Sequence, residues 1–341
     1  MLVNFLIIQG APGGPVEKVI NGLNHSSQKM GEVAISSPNF QAAISESGNI
    51  KYRGAGGIDP EIISKIEKIY GFDKPLSERF WMMLKKYLTF DFGDSFYQDK
   101  SVSDLVIERL PVSISLGLWT TLLVYLISIP LGIKKAVKNG SKFDVYSSWL
   151  IIIGYAVPSF LLAIFLMVLF GGGNFFSFFP LRGLVSANFE DLSWWQQIAD
   201  YFWHLALPII SMVVGGFASL TFLCKNSFLE EINKQYVVAA KARGLNQRQV
   251  LYSHIFRNAL LIVIAGFPAA LISVIFTSSM LIEIIFSLNG LGLLGFEAAI
   301  SRDYPVMFGT LYFFTLLSLI FSIIGDLTYR LVDPRIDFEK R

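Results

Sequence analysis

The sequence predicts an all-α membrane protein, on the evidence of its composition and of five long apolar runs. Of its 341 residues, 53% are hydrophobic and only 16% are charged, and the mean hydropathy is +0.54. A soluble domain carries about a quarter of its residues as charged side chains. A helix that crosses a bilayer needs roughly 20 predominantly apolar residues, and five uncharged runs of about that length occur. The chain is therefore expected to cross a membrane several times.

The five expected spans follow one another through the second two thirds of the chain. They cover about Pro111–Ile133, Ser147–Phe170, Trp203–Leu223, Ala259–Ile282 and Val306–Ile324. Proline and glycine occur inside several of them, which helices in a membrane tolerate when neighbouring helices satisfy the freed backbone groups. These residues could be packing sites, kinks or flexible points of a pathway, of which packing is favoured. The first nine residues, MLVNFLIIQ, are apolar but make only half a span and lack a basic flank. We expect residues 1–9 to be the end of a truncated first transmembrane helix.

The positive charges predict the orientation, because short basic loops stay in the cytoplasm. Four lysines lie between the first two spans, and six basic residues against two acids lie in the Cys224–Asn258 segment. The segment 171–202 is acidic by comparison. This places the 224–258 loop and the tail 331–341 in the cytoplasm, and residues 10–110 outside.

The outer segment 10–110 changes character along its length. Residues 21–58 are rich in serine, glycine and asparagine and predict irregular structure, and Asp59 is a good start for a helix. A second amphipathic helix is expected after Pro75. A third, short helix is expected from Ser101 or Ser103, with Ser101 and Asp104 forming a weak capping box at its start. The apolar positions of the second helix are Leu76, Phe80, Met83, Leu84, Tyr87 and Leu88. These amphipathic helices predict a cap that rests on the membrane rim.

Composition and motifs exclude several classes of function. A net charge of +2 does not suit a nucleic-acid binder, so no nucleic acid is expected as a partner. One cysteine, Cys224, and three scattered histidines provide no recognisable metal or cofactor site. His204, at the start of a span, is expected to bond to backbone.

The sequence supports neither of two common nucleotide-binding motifs. Gly290-Leu-Gly292-Leu-Leu-Gly295 matches a dinucleotide fingerprint, but it lies between two spans and not between a strand and a helix. No Walker A pattern occurs, so the chain is not expected to hydrolyse ATP or to act as an enzyme. The spans carry almost no ionisable groups, with Glu283 and Asp326 at their ends, which argues against an ion-coupled carrier.

The Cys224–Asn258 segment is the most informative part of the chain. Ala239, Ala240 and Gly244 place small residues at helical spacing, so another surface can approach the backbone closely. Gly244 is expected to end one helix, and Asn246 to begin a second. On this pattern alone, the segment could also be a helical hairpin that lies on its own membrane domain.

These residues resemble a family motif. Ala239-Ala240-x-x-x-Gly244 is similar to the EAA loop of binding-protein-dependent ABC importer permeases, with Val238 at the usual acidic position. His254-x-Phe256-Arg257-Asn258-Ala259 resembles the continuation in their dipeptide and oligopeptide branch. Further blocks resemble peptide permeases, among them YGFDKPLSERF at 70–80, LPVSISLGL at 110–118 and SRDYPVMFGTLY at 301–312. The long periplasmic segment and FPLRGLVSANF at 179–189 most resemble the Yej-type permeases of oligopeptides and microcin C.

The resemblance implies a type I ABC importer permease bundle in the bacterial inner membrane. The family has six spans, of which five are complete here and the first truncated, and residues 111–330 would form the permease domain. The implied partners are a second permease subunit in a heterodimer, cytoplasmic ATP-binding subunits, a periplasmic peptide-binding protein and the peptide itself. The implied ATPase-coupling residues are Ala239, Ala240, Lys241, Arg243, Gly244, Leu245, His254 and Arg257. The alternative is a stand-alone channel or carrier, and an intramembrane enzyme is more distant because the spans hold no paired catalytic groups.

Overall fold

The structure is a computed structural model that describes Leu2, Phe5, Leu6 and residues 74–171, 175–273 and 279–332. Throughout these residues the regular structure is helical, and their single β-bridge pairs Asp94 with Ser101. The predicted all-α fold is confirmed.

The helices are numbered here in chain order. The first five are α1 (Leu76–Leu88), α2 (Val102–Val137), α3 (Lys142–Ala156), α4 (Ser159–Phe170) and α5 (Trp194–Ile232). The next three are α6 (Gln235–Ala242), α7 (Gln247–Val250) and, after a π turn at Leu251–Ile255, α8 (Phe256–Ala265). The last four are α9 (Phe267–Ser273), α10 (Ser279–Ile285), α11 (Leu291–Ser301) and α12 (Tyr304–Val332).

Four helical stretches in the described residues are long and apolar enough to cross a membrane. They are α2, α5, Gln247–Ile272 and Tyr304–Thr328. The expected second span is not one straight helix, because α3 and α4 meet at an angle of 88°. Pro158 lacks a backbone N–H and forces Val157 into an extended conformation, with φ −87° and ψ 117°. Counted as one broken span, α3 and α4 bring the total in the described residues to five.

Two predicted helix boundaries are wrong because the helices run further than the apolar runs. The short helix expected at Ser101 is the first turn of α2, which continues through Pro111 and Pro130. Its predicted cap is confirmed, since the Ser101 hydroxyl accepts a hydrogen bond of 3.1 Å from the Asp104 amide. Helix α5 continues to Ile232, so residues 224–232 of the expected loop are helical. A helix does not end where its apolar run ends, because polar residues make the same backbone hydrogen bonds within the helix.

The predictions for the two ends of the chain, residues 1–110 and 331–341, are tested only in part. The second amphipathic helix is confirmed as α1, which follows Pro75. The irregular region 21–58, the helix from Asp59 and most of the tail 331–341 lie outside the described residues. Of the expected truncated span at residues 1–9, the structure describes only Leu2, Phe5 and Leu6, which are helical.

The chain divides into two compact units, and the first comprises residues 1–105 and 297–312. Its core is aromatic: the ring of Tyr87 lies 5.1 Å from that of Phe92 and 5.5 Å from that of Tyr312. Asp303 is buried and accepts hydrogen bonds from the Ser95 hydroxyl and from the Phe96 amide at 3.2 Å. The 301–312 block of the sequence therefore fastens the loop that precedes α2.

The second unit comprises residues 106–296 and 313–341 and holds two apolar clusters. One cluster joins α2, α4, α5 and α10 and includes Leu116, Ala163, Leu205 and Ile282. The other lies where α2, α5 and α8 meet the 235–258 segment and includes Ala136, Cys224, Phe228, Val237, Ala240, Val250 and Ala259. Helices α2 and α5 approach closely, since a Cβ on Gly132 would lie 2.7 Å from that of Cys224.

The glycine motif at 290–295 packs around a buried carboxyl group. Glu283 is fully buried, and its Oε2 accepts a hydrogen bond of 2.7 Å from the Leu293 amide at the start of α11. The Ser113 hydroxyl donates to Oε1 at 3.3 Å and accepts from the Leu291 amide at 2.8 Å. The N-terminus of a helix favours a carboxylate. Gly290 and Gly292 leave room for the Glu283 carboxyl group, because a Cβ at either position would lie within 3.2 Å of it. The motif therefore has a packing role here.

We expect Gly290→Ala to displace the Glu283 carboxyl group. A Cβ at Gly290 would lie 2.3 Å from Glu283 Oε1, a distance at which atoms overlap. Overpacking of this kind costs roughly 1–3 kcal/mol, and thermal unfolding of the purified protein measures it. Gly295→Ala is the matched control, because a Cβ there has nothing within 4 Å. Equal stability of the two variants would contradict the assigned packing.

Candidate functional site

The segment between α5 and α8 folds as a helical hairpin. Helix α6 ends at Ala242, and Gly244 adopts a left-handed conformation with φ +85°. Asn246 caps α7, accepting a hydrogen bond of 2.8 Å from the Gln249 amide, while the Gln249 side chain accepts one of 3.0 Å from the Asn246 amide. The predicted end at Gly244 and start at Asn246 are both confirmed. We call residues 235–258 the hairpin.

One face of the hairpin packs on the chain's own second unit. Val237, Ala240 and Val250 are buried, at 0%, 7% and 1% exposure, within the cluster that contains Cys224 and Phe228. Leu245 is half-buried and packs against the same cluster. This face of the hairpin therefore lies on the chain's own membrane domain, as the alternative expected. The small side chain of Ala240 lets α6 lie close to the cluster that contains Cys224 and Phe228.

The opposite face of the hairpin is exposed. We call it the hairpin surface; it consists of Val238, Ala239, Lys241, Ala242, Arg243 and Gly244. Val238 is 64% exposed, and a Cβ at Gly244 would have nothing within 4 Å. His254 and Arg257 are also exposed, on the π turn and on α8. The structure thus exposes six of the eight predicted coupling residues and turns Ala240 and Leu245 towards the core.

A polar cluster joins the hairpin to α5. The Tyr236 hydroxyl donates to Glu231 Oε2 at 2.6 Å, and the Lys234 ammonium pairs with Glu231 Oε1. Burial, together with the hydrogen bond to Glu231, raises the pKa of Tyr236 to about 12. The Glu231 carboxylate likewise raises the pKa of Lys234.

The same cluster reaches the π turn before α8. The Tyr236 hydroxyl, which is bonded to Glu231, also lies 3.5 Å from the His254 carbonyl, so Glu231 and Tyr236 link the end of α5, the start of α6 and the π turn. Sequence reasoning counted Glu231 only as a loop charge. The spacing of Glu231 three residues before Lys234 is the one local signal that could have suggested the cluster.

A second ionic cluster lies at the ends of α2 and α3, against α5. Lys135 is fully buried, and its ammonium donates to the Asp144 carbonyl and to the Ser147 and Ser148 hydroxyls, at 2.7–2.9 Å. The Asp144 carboxylate lies 3.0 Å from the Lys135 ammonium and 2.7 Å from that of Lys225. Lys135 is one of the four lysines that were expected in the loop between the first two spans, and the structure buries it together with Asp144.

The site contains no recognisable metal centre among the described residues, where no three His, Cys, Asp or Glu side chains group to hold an ion. His204 is buried, and its Nδ1 lies 2.8 Å from the Asp200 carbonyl. The predicted contact of His204 with backbone is confirmed.

The chain is a bundle of apolar helices that presents an exposed, basic hairpin. The comparisons with known proteins identify its class, a permease component of an ABC importer. Residues 128–338 match the family of binding-protein-dependent transport system inner membrane components, and the chain belongs to that family.

Relatives share most of the chain's length. It is 57% identical to the inner membrane ABC transporter permease protein YejB of Escherichia coli O157:H7, over 99% of this chain and 94% of the relative. It is 58% identical to the peptidoglycan transport system permease protein YejB of Agrobacterium fabrum, over 100% of this chain and 94% of the relative. It is 31% identical to the dipeptide transport system permease protein DppB of Bacillus subtilis, over 84% and 87%.

The solved structures agree on the fold. The inward-facing MetNI methionine ABC transporter matches with a TM-score of 0.52 at 18% identity, covering 67% of this chain and 96% of that one. This similarity shows the fold alone. The predicted family, the permease fold and the location in the inner membrane are confirmed.

Proposed function

We propose that this chain moves oligopeptides across the bacterial inner membrane as one permease subunit of an ATP-driven importer. The observation that carries the proposal is the hairpin surface, which is exposed while its opposite face is fixed in the chain's own core. A surface held in this way transmits force to the spanning helices, because it cannot move independently of them.

The substrate class follows from the relatives' names, which refer to dipeptide and peptidoglycan transport, and from the resemblance to Yej-type permeases. We assign peptides as the substrates, including peptides that carry another group, such as the nucleotide of microcin C-type antibiotics or the sugars of peptidoglycan fragments. Peptide recognition before transport belongs to a periplasmic binding protein.

The hairpin surface provides the contact with an ATP-binding subunit. Ala239 and Gly244 are small and exposed, so a partner approaches their backbone closely. Lys241 and Arg243 pair with carboxylates of that partner, and His254 and Arg257 extend the basic rim. Ala240 and Leu245 do not touch the partner; they pack against the buried cluster on the opposite face and hold α6 in position.

The remaining arrangement is part of the same proposal. Residues 10–110 lie in the periplasm, the hairpin and the tail 331–341 lie in the cytoplasm, and residues 111–330 form the permease domain. A second permease subunit completes the pathway, and ATP hydrolysis takes place on separate subunits. The basic side chains of the hairpin support this orientation.

Cysteine labelling tests the orientation. Cys224 is buried and is first replaced by serine, to give a background without cysteine. In that background, Gln247→Cys is expected to resist a membrane-impermeant thiol reagent in intact cells and to react once the membrane is opened, since Gln247 is exposed. Glu190→Cys, on an exposed residue of the opposite side, is the control and should react in intact cells. Labelling of Gln247→Cys in intact cells would overturn the topology.

Purification of the assembled transporter tests the function. The chain should retain an ATP-binding subunit, and peptide-loaded binding protein should stimulate ATP hydrolysis and drive peptide uptake into proteoliposomes. Peptide flux through the chain without a bound ATPase would instead establish the stand-alone channel or carrier.

A further inference from the structure

The second unit contains an open cavity of about 650 Å³. Helices α2, α5, α8 and α9 and the bend between α3 and α4 form its walls. Its volume falls in the range of sites that bind small molecules, roughly 300–1,000 Å³. The cavity has no role in the contacts of the hairpin described above.

The walls of the cavity are uncharged. None of the described residues that line it is an aspartate, glutamate, lysine, arginine or histidine. Their polar groups are hydroxyls, contributed by Thr120, Thr121, Tyr125, Tyr155, Ser159 and Ser219. A charged group would lose its hydration here without gaining a counter-charge, so the walls favour a ligand that is polar but neutral.

One of these hydroxyls stands apart because it is buried and unsatisfied. Thr121 is 2% exposed, and its Oγ1 has no hydrogen-bond partner in the described part of the chain. Tyr125, by contrast, donates to the Val263 carbonyl at 3.3 Å. Buried polar atoms are nearly always hydrogen-bonded, and a threonine in a helix can usually bond a carbonyl of the preceding turn. The oxygen itself is closed off from solvent, but Thr121 lines the cavity, so a ligand there would supply the missing partner once the side chain rotates to another staggered χ1 rotamer.

We propose that this cavity binds the uncharged main-chain segment of a peptide, with the Thr121 hydroxyl bonded to a peptide amide group. A hydroxyl both donates and accepts, so it pairs with a peptide C=O or N–H whatever the side chains are. The apolar walls accept side chains of many shapes. The inference rests on the proposed function and adds a binding site within this subunit.

Direct binding to the assembled transporter in nanodiscs, without binding protein, tests the site. The probe is isotopically labelled trialanine with an acetylated N-terminus and an amidated C-terminus. Thr121→Val keeps the shape of the side chain, removes the hydroxyl and is expected to weaken binding about tenfold. Thr221→Val is the matched control, because the Thr221 hydroxyl is satisfied by the Phe217 carbonyl and lies outside the cavity.

A second pair of variants tests the volume. Ser219 is exposed on the cavity wall, so Ser219→Phe should fill the cavity and abolish binding. Ile210→Phe changes an exposed position of α5 that does not line the cavity and should bind like the unmodified protein. Unblocked trialanine, with two charged ends, should bind more weakly than the blocked peptide.

Three outcomes would overturn the site: no binding of blocked trialanine, binding that Thr121→Val and Ser219→Phe leave unchanged, or displacement of the peptide by an alkane with no dependence on Thr121. The proposed function is judged separately, by ATP-driven uptake in the unmodified transporter. If the transporter takes up peptide but the Thr121→Val and Ser219→Phe variants bind trialanine normally, the site is wrong and the proposed function stands. If binding depends on the Thr121 hydroxyl but ATP does not drive uptake, the site stands and the proposed function is wrong.

Discussion

Asp144→Asn is expected to destabilise the protein by about 3–5 kcal/mol, the range for removing one partner of a buried ion pair. Asp144 is the carboxylate that faces both Lys135 and Lys225. The Lys135 ammonium is fully buried, so it cannot turn to water when its counter-charge is removed. The asparagine keeps the shape of the side chain, and the loss therefore reports charge. Membrane abundance and thermal unfolding of the purified chain measure it.

Two further variants identify the cause of that loss. Asp191→Asn alters an exposed acid and is expected to change stability by less than about 0.5 kcal/mol. The double variant Lys135→Met with Asp144→Asn removes the buried charge together with its partner and should recover much of the loss. A double variant as unstable as the sum of its single changes, or an Asp144→Asn protein as stable as Asp191→Asn, would contradict this account.

The buried ion cluster also illustrates which features sequence reasoning can predict. Hydropathy located the spans because a bilayer demands a run of apolar residues whatever the tertiary fold. It did not separate Lys134, which is exposed, from its neighbour Lys135, which is buried. That difference depends on where α3 and α5 pack around the end of α2, and no local pattern records it.

In the hairpin, too, the sequence predicts the local turns but not which neighbouring residues are buried. The turn at Gly244 and the cap at Asn246 follow from local chemistry and were predicted correctly. Ala239 and Ala240 were grouped as one small-residue contact, yet the first is exposed and the second buried. A helix of eight residues has too few turns for its periodicity to reveal which face meets the core.

The bend at Pro158 was one alternative for the prolines inside the spans, and packing was favoured over it for a different reason. Proline inside a span is often tolerated, and α2 runs through two prolines without a break. At Val157–Pro158 the chain instead turns by 88°. The residue before a proline disfavours the helical region in both cases, so the packing of neighbouring helices decides the outcome.

Gly244→Asp is expected to abolish peptide uptake while the permease remains in the membrane at nearly its normal abundance. The backbone of Gly244 has φ +85°, a conformation that aspartate and asparagine tolerate better than most residues, so the strain is about 1 kcal/mol. A Cβ there meets nothing within 4 Å of the chain itself. Any larger loss must therefore arise at a partner that touches the hairpin surface.

Matched substitutions separate bulk, charge and stability. Gly244→Asn has the same shape without the charge, so equal loss of uptake in both variants indicates a steric block, and a greater loss with aspartate indicates acidic groups on the partner. Ala239→Asp changes a second exposed position and should behave like Gly244→Asp. Ala240→Asp places a carboxylate in the buried cluster with Val237 and should lower abundance itself.

Three measurements on the same cells decide the role of the hairpin: membrane abundance, retention of the ATP-binding subunit after detergent extraction, and peptide uptake. Coupling through the hairpin surface predicts normal abundance with weakened retention and lost uptake for Gly244→Asp and Ala239→Asp. A purely structural hairpin predicts that uptake falls only as far as abundance does. Uptake proportional to abundance in both exposed-face variants would remove the coupling role from this surface, because the chain's own contacts leave both positions free to accept a side chain.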